Sequence, residues 1–126
     1  MKTIKAAELA GAALDWAVAT IEGYGRLRRN SHTFDQALIM NRKDGQCVLF
    51  SSLKFSADWA QSGPIIDREK ISTCWEGTIW VATLFNKNSE EAWYGHQYGP
   101  TPLIAAMRCY VASKLGDEVE IPEELG

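Results

Sequence analysis

Apolar positions change spacing several times along the chain, and each change marks an element. Residues 2–6 (KTIKA) fit a short opening strand. Leu14, Ala17, Val18 and Ile21 then recur at helical spacing, with Leu9 as an extension, which predicts a helix within 8–22. Gly23 and Gly25 end it. Residues 26–45 are the least regular stretch. Within it, Phe34 to Met40 is an apolar run open to strand or helix, and Asp44-Gly45 is a turn signal. Cys47–Ser52 reads as a strand, so a hairpin 36–42/46–52 follows. Residues 55–71 are broken in the middle by Ser62-Gly63-Pro64 and read as a loop. Two strands come next, Ile71 to Trp75 and Thr78 to Phe85, turning at Glu76-Gly77. The second is apolar on both faces, as a central strand is. Asn86–Glu91 is a polar loop, and residues 92–98 return as a further strand.

The last helix has the clearest signature. Thr101 suits an N-cap, Pro102 suits the first helical position, and Gly116 falls just past the end. Leu103, Ala106, Met107, Tyr110, Val111 and Leu115 form an apolar stripe between them. The acidic tail beyond reads as extended or loosely packed. The order β-α-(ββ)-β-β-β-α predicts an α+β fold: a mainly antiparallel sheet of about four to six strands with two helices on one face. With 126 residues and 46% apolar content, the chain supports one globular domain, 1–126, carrying an acidic tail over 117–126.

Charge narrows the partners. The net charge is −3, yet Asp117, Glu118, Glu120, Glu123 and Glu124 all fall in the last ten residues. The remaining body is mildly basic. That permits a small anionic ligand and argues against a non-specific duplex DNA binder, which would show a denser basic face. Cys47, Cys74 and Cys109 have no paired spacing and read as free thiols, with no disulfide framework and no zinc pattern. No apolar run approaches a membrane span, and MKTIKAAELAG lacks the apolar segment of a signal peptide.

Three blocks resemble a known family: GAALDWAVA (11–19), SADWAQSGPIIDREKI (56–71) and GPTPLIAAMRCYVASKLGDEVEIPEEL (99–125). Their order and spacing are similar to those of the NinX-like accessory proteins of tailed bacteriophages and prophages. The resemblance implies a small phage protein working in the host bacterial cytoplasm. It carries no catalytic residues to transfer.

Candidate chemistry is sparse. Trp59, Ser62, Gly63 and Pro64 could form a loop closing over a planar ligand, with Arg68 and Lys70 meeting its phosphates. The plainer alternative makes Trp59 a core plug and Gly63-Pro64 a turn. Tyr24 with Arg26, Arg28 and Arg29 offers a cationic grip beside a ring, against the ordinary reading of a solvated charged face. Thr101 heads a helix whose N–H groups either bind an anion or are simply capped. Asp15 lies off the apolar stripe, so its expected place is the surface. His32 and His96 are the only imidazoles, and a Cys74–His96 pair has no nucleophile motif around it. No Walker loop, GxSxG or HExxH occurs. The expectation is therefore a non-enzymatic protein without a cofactor. It would bind a small anionic nucleotide-like ligand, a host immune signal, at or near an interface of a homo-oligomer. The alternatives are an interaction module that meets a host protein through the acidic tail, and nucleic-acid binding through Arg26, Arg28, Arg29, Arg42 and Lys43.

Overall fold

A computed structural model of the chain describes residues 2–26, 38–84 and 95–125. The class is the expected one, α+β with antiparallel pairing throughout, though its strands divide among three small sheets. The order is β1 (Lys2–Lys5), α1 (Gly11–Ile21), β2 (Tyr24–Arg26), β3 (Leu38–Asn41), β4 (Cys47–Leu49), α2 (Trp59–Glu69), β5 (Ser72–Trp75), β6 (Trp80–Leu84), β7 (Gly95–Gly99), α3 (Pro102–Leu115) and β8 (Glu118–Ile121). β1 pairs with β8, β2-β3-β4 forms a second sheet, and β5-β6-β7 a third.

α3 is the centre of the molecule. It runs across β6 and β7 on one side and meets α1 and α2 on the other. The Thr101 side chain accepts from Ile104 N at 3.2 Å, and Gly116 closes the helix at φ +91°. Ala105, Ala106, Met107 and Val111 are fully buried. α3 sits so close to β7 that a Cβ on Gly99 would stand 2.7 Å from Ala105 N, which only glycine avoids. Arg108 fastens the same junction: Nε donates to Leu9 O at 2.7 Å and Nη1 to Tyr98 O at 2.8 Å.

Two expectations are overturned, and one that was left open is decided. The 55–71 stretch is a helix across Ser62-Gly63-Pro64, with Pro64 inside it. A proline here forfeits one helical bond and crowds the preceding turn, at a cost of about 3 kcal/mol. Local bonding offsets that cost. Asp58 caps Ala60 N at 2.9 Å, Gln61 Nε2 reaches Asp58 Oδ2 at 3.2 Å and Ser52 O at 3.0 Å, and Ile65 is buried. Asp58 and Gln61 have the spacing of a capping box, with Gln61 Oε1 accepting from Lys54 N in place of Asp58 N, and this cap is the signal that outranks Gly63-Pro64.

The tail, open to an extended or a loosely packed form, is extended. Glu118–Ile121 alternates exposed glutamates with buried Val119 and Ile121 and pairs along β1, with Lys5 opposite Glu118. Asp15 is not on the surface: it is only 3% exposed, because α1 is covered almost all round. Its Oδ1 accepts from Ser56 N at 2.8 Å. Burial raises its pKa; the Ser56 bonds and nearby Lys54 pull the other way.

Candidate functional site

Among the described residues, those predicted from the sequence do not converge. Trp59 opens α2, 55% exposed, rather than plugging the core. Ser62 is fully buried and donates to Phe55 O, so it is a fastening of the preceding turn. Gly63 and Pro64 are helical and form no loop. Arg68 lies nine residues after Trp59, about 13 Å along the axis and half a rotation away. Thr101 is equally far from Tyr110, the residue that Arg68 touches. Arg28 and Arg29 lie outside the described residues, as does His32. The main chain of Arg26 pairs with Ile39, and Tyr24 packs half-buried against the core.

Arg68 is not available as a phosphate grip. Nη1 and Nη2 reach Glu22 Oε1 and Oε2 at 3.2 and 2.9 Å, a bidentate pair. Nη2 also donates to the Tyr110 hydroxyl at 2.9 Å, and Nε to Glu69 Oε2 at 3.1 Å. Tyr110 in turn donates to Glu22 Oε2 at 2.7 Å, and Lys114 closes on Glu69 at 3.2 Å. The network joins the end of α1 to α2 and α3. The Glu22 bonds hold Arg68 firmly in its charged form. Burial and the Glu22 carboxylate push the Tyr110 phenol up, so it stays a donor. Burial alone would raise the Glu69 carboxyl, but bonds from Arg68 and Lys114 outweigh it and bring the pKa down. Lys70 ends α2 at φ +57° and its amine stands 4.0 Å from Asp67, both well exposed.

The Cys74–His96 pairing is also absent. β6 separates the two residues, which places them about two strand spacings, roughly 10 Å, apart. His96 Nδ1 instead lies 3.2 Å from Thr83 Oγ1. Cys109 is buried, which pushes its thiol up to about 11. Among the described residues no group of three His, Cys, Asp or Glu is placed to hold a metal ion. At the Thr101 turn the hydroxyl and the carbonyl already take Ile104 N and Ala105 N, which favours capping over an anion site.

Two open grooves meet along the β1–β8 ribbon. One, of about 450 Å³, is lined by Lys2, Thr3, Ile4, Lys5, Glu8 and Glu118. The other, of about 330 Å³, adds Gln97 and Asp117. Both mix charge signs, and neither contains a predicted site residue.

One exposed aromatic pair among the described residues was not singled out in the sequence. Trp75 and Trp80 face each other across the β5–β6 hairpin, ring centroids 5.5 Å apart and tilted by 54°. Trp80 is opposite Gly99, so the pair flanks the turn into α3. Trp75 is 52% exposed. The sequence places the turn at Glu76-Gly77, which would pair 75 with 78; the turn in fact centres on Gly77-Thr78, and that shift of one residue makes 75 and 80 cross-strand partners.

A family model described as Bacteriophage P22, NinX matches residues 5–114. No curated protein matches the chain.

Proposed function

Since the chain belongs to the bacteriophage P22 NinX family, we propose that it is a non-enzymatic phage accessory protein that sequesters a small, planar, anionic nucleotide-like ligand in the host cytoplasm, a signal of host immunity. The observation that carries this reading is the Trp75–Trp80 pair. An indole left half in water beside another is a poor use of apolar surface in a folded chain, and it presents a π-face on which a base can stack. The earlier candidates Arg68 and Ser62 drop out because their polar groups are spent inside the fold. Trp59 stands alone on α2. An open platform buries too little ligand for tight binding by one copy, so the reading calls for an oligomer that covers the other face.

The test is calorimetric titration with cyclic dinucleotides and cyclic ADP-ribose isomers, read together with tryptophan fluorescence. Binding should quench the indoles. Trp75→Ala should weaken it by about 5- to 100-fold, the worth of one stacked base, while Trp59→Ala leaves it unchanged. An absence of both heat and thermal shift with every ligand overturns the proposal.

The alternative that the tail meets a host protein loses its basis as a free arm, since Glu118–Ile121 is a paired strand.

A further inference from the structure

β5 is the outer strand of its sheet. It pairs with β6 on one side and, among the described residues, with no strand on the other. Glu76 N donates to Ile79 O at 3.0 Å, which makes those two a hydrogen-bonded pair. The alternation of an antiparallel ladder then turns the main-chain N–H and C=O of Thr73 and Trp75 toward the open edge. The Trp75 carbonyl meets only a long thiol contact from Cys74, at 3.7 Å.

Proteins ordinarily blunt such edges with charge, proline or a bulge. The β1–β8 ribbon follows that rule, with Lys2 and Lys5 on one strand and Glu118 and Glu120 on the other. β4 is uncharged but only three residues long, and β7 begins and ends in glycine. β5 reads Ser-Thr-Cys-Trp, with three of its four residues exposed and, among the described residues, no protective device. Its charges lie just beyond the two ends and are opposite in sign: Lys70 before it and Glu76 after it, both exposed.

We infer that β5 is a self-complementary edge, along which a second copy of this chain pairs antiparallel about a two-fold axis at Thr73. The two three-stranded sheets thereby become one sheet of six strands. A two-fold axis normal to the sheet keeps each face on its own side, so residues of like parity must oppose. Centring on Thr73 satisfies this. Thr73 faces the partner's Thr73, Ser72 faces the partner's Cys74, and Lys70 comes opposite the partner's Glu76, twice by symmetry. Trp75 N–H reaches the partner's Ile71 carbonyl. The ladder ends there, because Ile71 N is already committed to Ile66 O at 3.1 Å. The exposed Trp75 ring gains cover from the partner. So short an edge buries less than the roughly 1,200–2,000 Å² of a stable interface, so the dimer is weak and concentration-dependent. This inference stands independently of the ligand reading and is tested without any ligand.

Sedimentation velocity and native mass spectrometry over a concentration series should show monomer giving way to dimer. Thr73→Pro removes an N–H that faces the edge and not β6, a position where proline is tolerated. It should abolish the dimer and leave the circular dichroism of the monomer unchanged. Glu76→Lys should weaken the dimer by about 2- to 30-fold, the range for two exposed ion pairs. Adding Lys70→Glu should restore it. In a Cys47→Ser background, Ser72→Cys should give an oxidised covalent dimer through the partner's Cys74. A non-hydrogen-bonded pair brings Cα atoms to about 4.5 Å, within disulfide reach. Ready cross-linking of Cys74 to itself in that background without Ser72→Cys overturns the register. A monomer at all concentrations, or a dimer indifferent both to Thr73→Pro and to the charge swap, overturns the interface.

Discussion

The junction of α1, α2 and α3 and the edge of the β5–β6–β7 sheet use their polar groups in opposite ways. At the helix junction, Glu22, Arg68, Glu69, Tyr110 and Lys114 satisfy one another, and Tyr110 is only 2% exposed. A cation that looked in sequence like a phosphate grip is there a brace between elements. At the sheet edge, the main-chain groups of Thr73 and Trp75 point outward and the Trp75 indole stands half in water beside Trp80. A full network of internal bonds leaves little for a partner, whereas an edge unpaired among the described residues, with an aromatic beside it, has main-chain groups still to give. This contrast is why the proposed site rests on the tryptophans and not on the arginine.

The sharpest way to break this comparison is at Tyr110. If the junction is a structural brace, Tyr110→Ala should cost about 3–5 kcal/mol of stability, the usual loss for a buried aromatic. Chemical denaturation reads it directly. Tyr110→Phe keeps the ring and loses only the hydroxyl between Glu22 and Arg68, for about 1 kcal/mol. Neither should alter ligand binding or self-association of the folded fraction. A Tyr110→Phe protein that is fully stable but no longer associates would place function at the junction and reverse the assignment.

The edge should respond in the other sense. Trp75→Ala removes one ring contact with Trp80, worth about 0.5–1.5 kcal/mol. Stability measured at a concentration where the protein is monomeric should fall by no more than that. Association and ligand quenching should fall far more. A loss of several kcal/mol would make Trp75 a core residue and remove the contrast.

Legibility in the sequence followed the same divide. α3 was readable because cap, first-turn proline and C-terminal glycine agree with its apolar stripe, and all three behave as expected. The β3–β4 hairpin about Asp44-Gly45 and the β5–β6 hairpin were readable from turn chemistry. α2 was misread because Gly63-Pro64 outweighed the Asp58-x-x-Gln61 cap, whose two side chains are bonded to each other. β8 was left open between extended and loose because its glutamates masked a strict alternation with Val119 and Ile121. The candidate site fared worse for a physical reason: residue type tells what a side chain can bind, while its neighbours in space decide whether it is free to do so. Arg68 meets Glu22 across 46 positions, and Tyr110 meets Glu22 across 88. No local pattern reports such pairings.

Asp15 offers the finest distinction on the helix side, between a polar group kept for its charge and one kept for its bond. Its pKa is raised in the fold, so the native state holds the proton more tightly than the unfolded chain does. The sign follows: its contribution is fully present below the ordinary aspartate range and is lost as pH rises through the higher folded value. At neutral pH the buried charge is therefore a cost, which the Ser56 bonds offset only in part. Asp15→Asn keeps an oxygen to accept from Ser56 N and removes the charge. Relative to the native protein, it should gain stability between about pH 4 and neutrality, by under about 1 kcal/mol, since exchanging one satisfied acceptor for another is nearly neutral. Thermal melts of both proteins across that range measure the difference. An Asp15→Asn protein that instead loses stability as pH rises would show that the carboxylate is held in its charged form by attraction to Lys54, and that burial is the lesser influence.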